Sequence, residues 1–438
     1  MSFRIGEENV MKYTKEISLH SRWDVIVCGA GPAGIAAAVT ASRLGMKVML
    51  LERYGVVGGC LTLGNVATVM GGVAPGTIRD EIASLLSSPN GETGIDCESA
   101  KGILTDLLAG EKVEFRLQCP VVDAYVVDGE IRGVFALTQQ GVVLMEAKRV
   151  IDATGDGYAA AMAGCEVMTG RDGDGLVQPS SLMYIIEGMD EESTLVCRHE
   201  EDDTVFPDGR RYLAMCERAA AEGRLPANVT IVRLYKTGRK GERLVNATQM
   251  NGVTILADGD AERSEIELRR QMEMVNRFLR EEVPGCENVR VRISASTLGV
   301  RESRRIRGRY LLEAEDLIAG RVFEDAVVHR ADFCIDIHNP TGGGQAETGG
   351  QPYRTQPYDI PMRALQPLHV DNLVLSGRSI SGSHRAHASY RVMNIAMAIG
   401  QASGTMAAVS VRDGCRISEL DYRAVQRSLE EQGCRLRD

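Results

Sequence analysis

No two of the eleven cysteines stand in a C-x-x-C pair, and their number is odd. In a chain this long that pattern implies reduced thiols rather than a disulfide framework. It also leaves no two cysteines at the spacing of a zinc site, so no metal is expected. Long apolar runs are missing too. Stretches such as 25–27 and 48–51 end after a few residues, where a spanning helix needs about 20. The first residues, Met1-Ser-Phe-Arg-Ile-Gly-Glu-Glu, hold two early acids and no apolar run, and do not read as a secretory signal. Concentrated basic charge is confined to 301–309, and the net charge is −10. A nucleic-acid partner, which calls for a basic face, is therefore not expected. The acidity reads as ordinary solubility. Together these absences point to a cytoplasmic protein without membrane segments.

The composition is that of a folded protein, with 44% hydrophobic and 25% charged residues. A chain of 438 residues exceeds one ordinary core, so two units are expected, interleaved in sequence. Residues 1–22 read as a short leader with a strand near 16–19. From Trp23 the pattern becomes apolar strand, glycine turn, alanine-rich helix and second strand. Between 120 and 143, Gly129, Gly133 and Gly141 punctuate β-branched runs, the mark of an antiparallel meander. A separate strand is expected over 149–153. Beyond Gly170 the text changes: a strand over 181–186, charged helices over 212–222 and 262–282, and a glycine-rich loop over 341–351. Strand character returns at 371–376, and a small-residue helix follows over 392–410.

The most specific motif is Asp24-Val-Ile-Val-Cys28 followed by Gly29-Ala30-Gly31-Pro32-Ala33-Gly34 and a helix. Gly29 permits the tight turn, Gly31 lets a pyrophosphate approach the backbone, and Gly34 lets helix and strand pack closely. The helix N-terminus, at Pro32 and Ala33, offers free N–H groups to phosphate. Glu52 closes the second strand 18 residues past the third glycine, where a carboxylate can accept both hydroxyls of an adenosine ribose. Arg53 follows it, and then Gly58-Gly59-Cys60. An acid trailed by a double glycine is typical of FAD rather than NAD domains.

These segments resemble the two-dinucleotide-fold FAD superfamily that contains glutathione reductase and fumarate reductase. Two further segments carry the resemblance. Asp152-Ala153-Thr154-Gly155-Asp156 is similar to its alanine-threonine-glycine motif. Asn372-Leu-Val-Leu-Ser-Gly377-Arg378 is similar to the strand that returns to the flavin pyrophosphate and ribityl chain. Within the superfamily the chain resembles the FAD-dependent oxidoreductases of the xanthan-lyase-associated type. That match rests on Leu298-Gly-Val-Arg301-Glu-Ser-Arg-Arg-Ile306, Asp336-Ile-His338, Ile360-Pro-Met-Arg363, and Arg391-Val-Met-Asn394 through Gly404. The resemblance implies non-covalent FAD, an α/β fold and an oxidoreductase. It places Arg391, Val392 and Met393 at a helix start aimed at the flavin N1–C2 carbonyl, where the dipole stabilises the reduced anion.

Three flavin chemistries lack their residues. Cys60 has no second cysteine five positions on, which argues against a dithiol reductase; alone it is a packed small residue or lies near the ring. The segment after Leu375 is not the glycine-aspartate-alanine-alanine-histidine of a flavin hydroxylase. No second Rossmann fingerprint exists for a resident nicotinamide. Electrons are then expected through transient NAD(P)H, a redox partner protein or a second substrate. Ser383-His384-Arg-Ala-His387-Ala-Ser-Tyr-Arg391 supplies two histidines, either of which can serve as general acid/base, the plainer alternative being that they only hydrogen-bond a loop. The five arginines of 301–309 read as one face of a helix, with Arg301 facing substrate or flavin and able to clamp a carboxylate. His338, Asn246 and Gln249 are further substrate-side candidates.

The expected architecture is α/β: a Rossmann-like three-layer FAD-binding domain of 20–177 plus 363–438, with an α+β substrate (cap) domain of 178–362 inserted. The expected reaction is hydride or two-electron transfer with a small polar substrate, a carboxylate or sugar derivative. An electron-transfer subunit working with a partner, or a non-redox flavin protein, are the rivals. A homodimer is the base-rate expectation for assembly.

Overall fold

The computed structural model describes residues 3–5, 11–14, 16–87, 94–190, 195, 203–344 and 353–437. The glycine-rich loop expected over 341–351 lies outside them beyond Gly344, as do residues 1–2, 6–10 and 15 of the expected leader.

Val25, Ile26, Val27 and Cys28 are all fully buried, the pattern of a parallel strand covered on both faces. They end the strand Ser18–Cys28, which runs beside Val48–Leu51 with Val25 opposite Val48. The helix Pro32–Arg43 makes the crossover. Proline at its first position costs no hydrogen bond there, and Gly45 at φ +83° follows its end. In the main sheet Glu114–Arg116, Val48–Leu51, Ser18–Cys28 and Gly141–Asp152 lie side by side, followed by Glu130–Thr138 and Val121–Val127; Leu373–Leu375 pairs parallel to the end of Gly141–Asp152.

Two expected boundaries change. The strand expected near 16–19 and the one from Trp23 are a single element, because Ser18, Leu19 and His20 already pair with Val143, Leu144 and Met145. The last meander strand and the strand expected over 149–153 are likewise one, Gly141–Asp152. Arg149 interrupts its apolar pattern, yet is buried, donating to Ser410 Oγ at 2.5 Å and Cys415 O at 2.6 Å. A tertiary partner satisfies a charge that reads locally as a break.

The helix Met393–Asp413 is buried on nearly every side and crosses Pro32–Arg43. A Cβ at Gly400 would stand 2.2 Å from Ala33 O, and one at Gly404 2.5 Å from Ala37 O. Glycines four apart thus let the two backbones touch.

A second apolar cluster runs from Leu182 to Ala295. Its antiparallel sheet has the order Arg233–Lys236, Arg243–Asn246, Tyr184–Glu187, Arg290–Ser294. The helix Asp260–Glu282 covers it, burying Ser264, Leu268, Gln271, Met272, Val275 and Leu279 at helical spacing. Within the span 178–362, Ile306, Leu312, Phe323 and Ile337 pack instead in the first cluster.

The arginine run is corrected outright. Residues 301–309 form no helix: Arg304–Ile306 is a short strand paired with Val167–Thr169. Arg305 and Ile306 are buried there, so tertiary anchoring overrides the i, i+4 charge spacing. Among the described residues, no single helix is long and apolar enough to cross a membrane.

Candidate active site

The turn after Ser18–Cys28 is sterically specified. Gly29 has φ +98°, and a Cβ on it would meet Ala153 O at 2.6 Å. At Gly34 a Cβ would stand 1.8 Å from Gly29 O, whereas at Gly31 it would meet nothing within 4 Å. Turn and helix are therefore pressed against the sheet, while the Gly31 backbone borders open space. Gly59, at φ +52°, brings the double glycine to the same rim, its Cβ position 2.9 Å from Gly31 Cα. Gly58 N donates to Ala30 O at 2.7 Å. Glu52 is buried and accepts from Ala30 N at 2.7 Å and Tyr54 N at 2.9 Å. Burial raises its carboxyl above the usual range, partly offset by those amides.

Asp156 organises the neighbouring loop. One oxygen accepts from Ser303 Oγ and Arg378 Nη2, both at 2.7 Å, and the other lies 3.6 Å from Arg53 Nη2. Burial pushes its carboxyl up, but Arg378, Ser303 and Arg53 outweigh this and hold it below the usual range. Arg378 lies against Gly155, where a Cβ would come within 2.8 Å of Nη1. Asp152 accepts from Thr154 N and Oγ1, fixing the turn after Ala153. Gly377, at φ +69°, sets its Cβ position 3.1 Å from Ala33 Cβ, so this segment returns to the fingerprint helix. Cys60 lies close to Arg378, but burial keeps its thiol above the usual value and hence a poor nucleophile.

Val392 caps the helix Met393–Asp413 without a side-chain bond, and Asn394 holds the loop above it through Met70 O and Gly71 O. Several polar atoms around this cradle are buried without a partner: Asn65 Nδ2, Arg378 Nε, Arg391 Nε and Asn394 Oδ1. Orphaned buried polar atoms are rare in finished proteins and mark a place where a ligand or water completes them. With the open rim at Gly31 and the acid at Glu52, the residues present fit a dinucleotide.

A second set lies where the two clusters meet. Arg301 is half-buried and donates from Nη1 to Pro179 O at 2.8 Å. Burial, then the field of Arg391, lowers its pKa to about 10. Arg391 donates to Asp336 O and Oδ2, both at 3.1 Å, and His338 Nε2 is 3.4 Å from the same carboxylate. Burial and then Arg301 push His338 down to about 4. Deeper in, Glu302 binds Arg305 and lies 2.9 Å from His384 Nδ1. His387 is fully buried, edge-on to Tyr390, and driven well below its ordinary value by burial and Arg305.

The model of the family described as FAD dependent oxidoreductase matches residues 24–429. The chain belongs to that family. Curated relatives match over shorter segments. Sarcosine oxidase subunit alpha of Rhizobium meliloti is 45% identical over 67 residues, 15% of this chain and 7% of that protein. Dihydrolipoyl dehydrogenase of Acholeplasma laidlawii is 31% identical over 144 residues, 31% of this chain and 42% of that one. Urocanate reductase of Eggerthella lenta is 61% identical over 36 residues, 8% and 6% of the two chains. This chain thus covers less than half the length of these relatives. Among solved structures, a geranylgeranyl bacteriochlorophyll reductase-like protein from Thermoplasma acidophilum is 13% identical, with 94% of this chain and 83% of that one covered at a TM-score of 0.47. The p-nitrophenol 4-monooxygenase PnpA from Pseudomonas putida is 11% identical, covering 95% and 84%, at a TM-score of 0.48.

In this member of the FAD dependent oxidoreductase family the expected site residues fall into three groups, the third being His384 and His387 beside Glu302 and Tyr390. The glycines of the fingerprint, Glu52, Arg53, Cys60, the 153–155 turn, Gly377 and Arg378 gather around one cradle. Arg301, His338 and Arg391 gather at Asp336. Gln249 is elsewhere engaged, its amide bonded to Asn339 O and Gly342 O, and Asn246 ends a strand opposite Arg233. Asp156, Glu302, Asp336 and Asn394 are not singled out by the sequence as site residues, although each lies in a segment that carries the family resemblance. Glu52→Gln is expected to weaken FAD binding about 10- to 100-fold, since an amide offers one acceptor where two N–H groups donate and leaves a buried donor unpaired; fluorescence titration of apoprotein measures it. A pH effect follows from the histidines. His338 and His387 bind protons less readily folded than unfolded, so the unfolded chain holds more protons from about 6.5 downward. Their stabilisation is complete above that pH and is lost as pH falls toward about 4, the folded value of His338. Urea unfolding at pH 7 and pH 5 should show the loss, with a slope of up to about 1.4 kcal/mol per pH unit per group, and His338→Gln should reduce it.

Proposed function

We propose that this oxidoreductase moves a hydride, or its two-electron equivalent, between FAD and a small carboxylate-bearing substrate held by Arg301. The carrying observation is Arg301 itself: a guanidinium largely shielded from solvent that bonds a carbonyl, Pro179 O, while the neighbouring Asp336 carboxylate is held by Arg391 beside a histidine kept neutral. A buried cation without full compensation is costly, and an arriving carboxylate supplies the missing charge in bidentate form. FAD, when bound, supplies the two-electron acceptor or donor. The glycine turn of 29–34 with Gly58 and Gly59 is assigned to its phosphates, Glu52 to its ribose, and Arg378 and the start of the Met393–Asp413 helix to the flavin end. Arg301 positions the substrate. His338 takes up or returns the proton of its hydroxyl or amine: burial first and the Arg301 field second keep the ring deprotonated, and the substrate's negative charge offsets the second. Asp336 orients that ring through its Nε2.

We further propose membership of the xanthan-lyase-associated branch, a substrate unit inserted over 178–362, a cytoplasmic setting, a homodimer, and electrons exchanged with NAD(P)H or a redox partner protein. Titrating the FAD-loaded protein with non-oxidisable small carboxylates and with neutral sugars tests the substrate class. Saturable shifts of the flavin spectrum with carboxylates are expected; shifts with sugars alone would reject the carboxylate assignment.

A further inference from the structure

Glu302 is the one acid of the 301–309 run, and it is almost fully buried. Its carboxylate accepts from Gln178 N at 2.9 Å and from Arg305 Nη1. Arg305 is itself held by Gly382 O at 2.9 Å and Gly170 O at 2.7 Å. The acid therefore has its charge balanced and its orientation locked from two other elements. Against this fixed oxygen pair stands His384 Nδ1, at 2.9 Å. The other ring nitrogen, Nε2, is buried and meets no partner. The groups facing His384 are Glu302, His387 three residues along its helix, and, through Glu302, Arg305 and Arg391; Arg378 and Arg391 also act on His387.

We propose that Glu302 is a positioning residue that sets the tautomer of His384. A carboxylate that accepts at Nδ1 places the proton there and makes Nε2 a lone-pair acceptor. Nε2 then recognises an O–H or N–H donor, carried either by the ribityl chain of the flavin or by the substrate. The inference needs a ligand beside His384 but not the carboxylate class assigned above.

The experiment uses FAD-loaded protein labelled with [15N]histidine, read by two-bond proton–nitrogen correlation at neutral pH, with His384 identified by its disappearance in His384→Gln. The expected result is a protonated Nδ1 and an unprotonated Nε2. Glu302→Gln should then mix the two tautomers and weaken one ligand about 10-fold: FAD if the donor is ribityl, read as its Kd, or substrate if the donor is there, read as KM. A wild-type ring protonated at Nε2, singly or doubly, overturns the proposal, as does a Glu302→Gln spectrum with the tautomer unchanged. If that variant does not fold, the wild-type spectrum decides alone. A protein with the stated tautomer that ignores every carboxylate would count against the substrate reading and leave the role of Glu302 standing.

Discussion

Gly34→Ala is expected to give a protein that carries no FAD and unfolds at a lower temperature. The added methyl would stand 1.8 Å from Gly29 O and 2.9 Å from Gly29 C, both backbone atoms of the turn it packs on. Nothing flexible can yield, so the helix Pro32–Arg43 must lift from the sheet. Overpacking of this kind costs about 1–3 kcal/mol. The larger loss is functional, since the displaced helix start no longer aligns with the Gly58–Gly59 rim. Flavin-to-protein absorbance of the purified variant measures the first effect and thermal unfolding the second. Gly31→Ala is the control. Its methyl meets nothing within 4 Å, so the apoprotein should melt like wild type while FAD binding falls, because the methyl occupies the space left for the cofactor. Equal destabilisation by both variants would contradict the distinction.

Arg301→Gln is expected to retain FAD and lose about 100-fold in kcat/KM for its acidic substrate, equivalent to about 2.7 kcal/mol. Glutamine keeps a polar stem but stops two bonds short of Nη1 and brings no charge, so neither the fork nor the ion pair remains. Arg301→Lys should recover only part of the loss, since an ammonium cannot form the forked pair. Arg305→Gln, four positions on, should behave differently. Its guanidinium is spent on Glu302, Gly382 O and Gly170 O, so the expected effect is on folding. Steady-state kinetics with flavin content and unfolding measured in parallel separate the two cases.

The nucleotide turn is legible in the sequence because each of its requirements is local. Gly29 needs a positive φ, Gly34 needs room, and Glu52 follows a four-residue buried strand. The helices Asp260–Glu282 and Met393–Asp413 are legible for the same reason, one from amphipathic spacing and one from small residues. The rest depends on distant partners. Arg149 reads as a strand break until Ser410 and Cys415 accept its hydrogen bonds. The arginines of 301–309 match a helical face by spacing, but Arg305 is claimed by carbonyls 77 and 135 residues away. Asp336 joins Arg391 across 55 residues, and Glu302 joins His384 across 82. No window of sequence contains those pairs, so the candidate cofactor cradle is readable and the candidate substrate end is not.

The measurement closest to the central claim is an anaerobic titration of the FAD-loaded protein with a panel of small hydroxy and amino acids, neutral sugars, NADH and NADPH, followed at the oxidised flavin band. The account predicts that an acid bleaches the band in wild type and fails to do so in Arg301→Gln at the same concentration, with dithionite bleaching both. Bleaching by a neutral compound that is indifferent to Arg301, with no response to any acid, would contradict it.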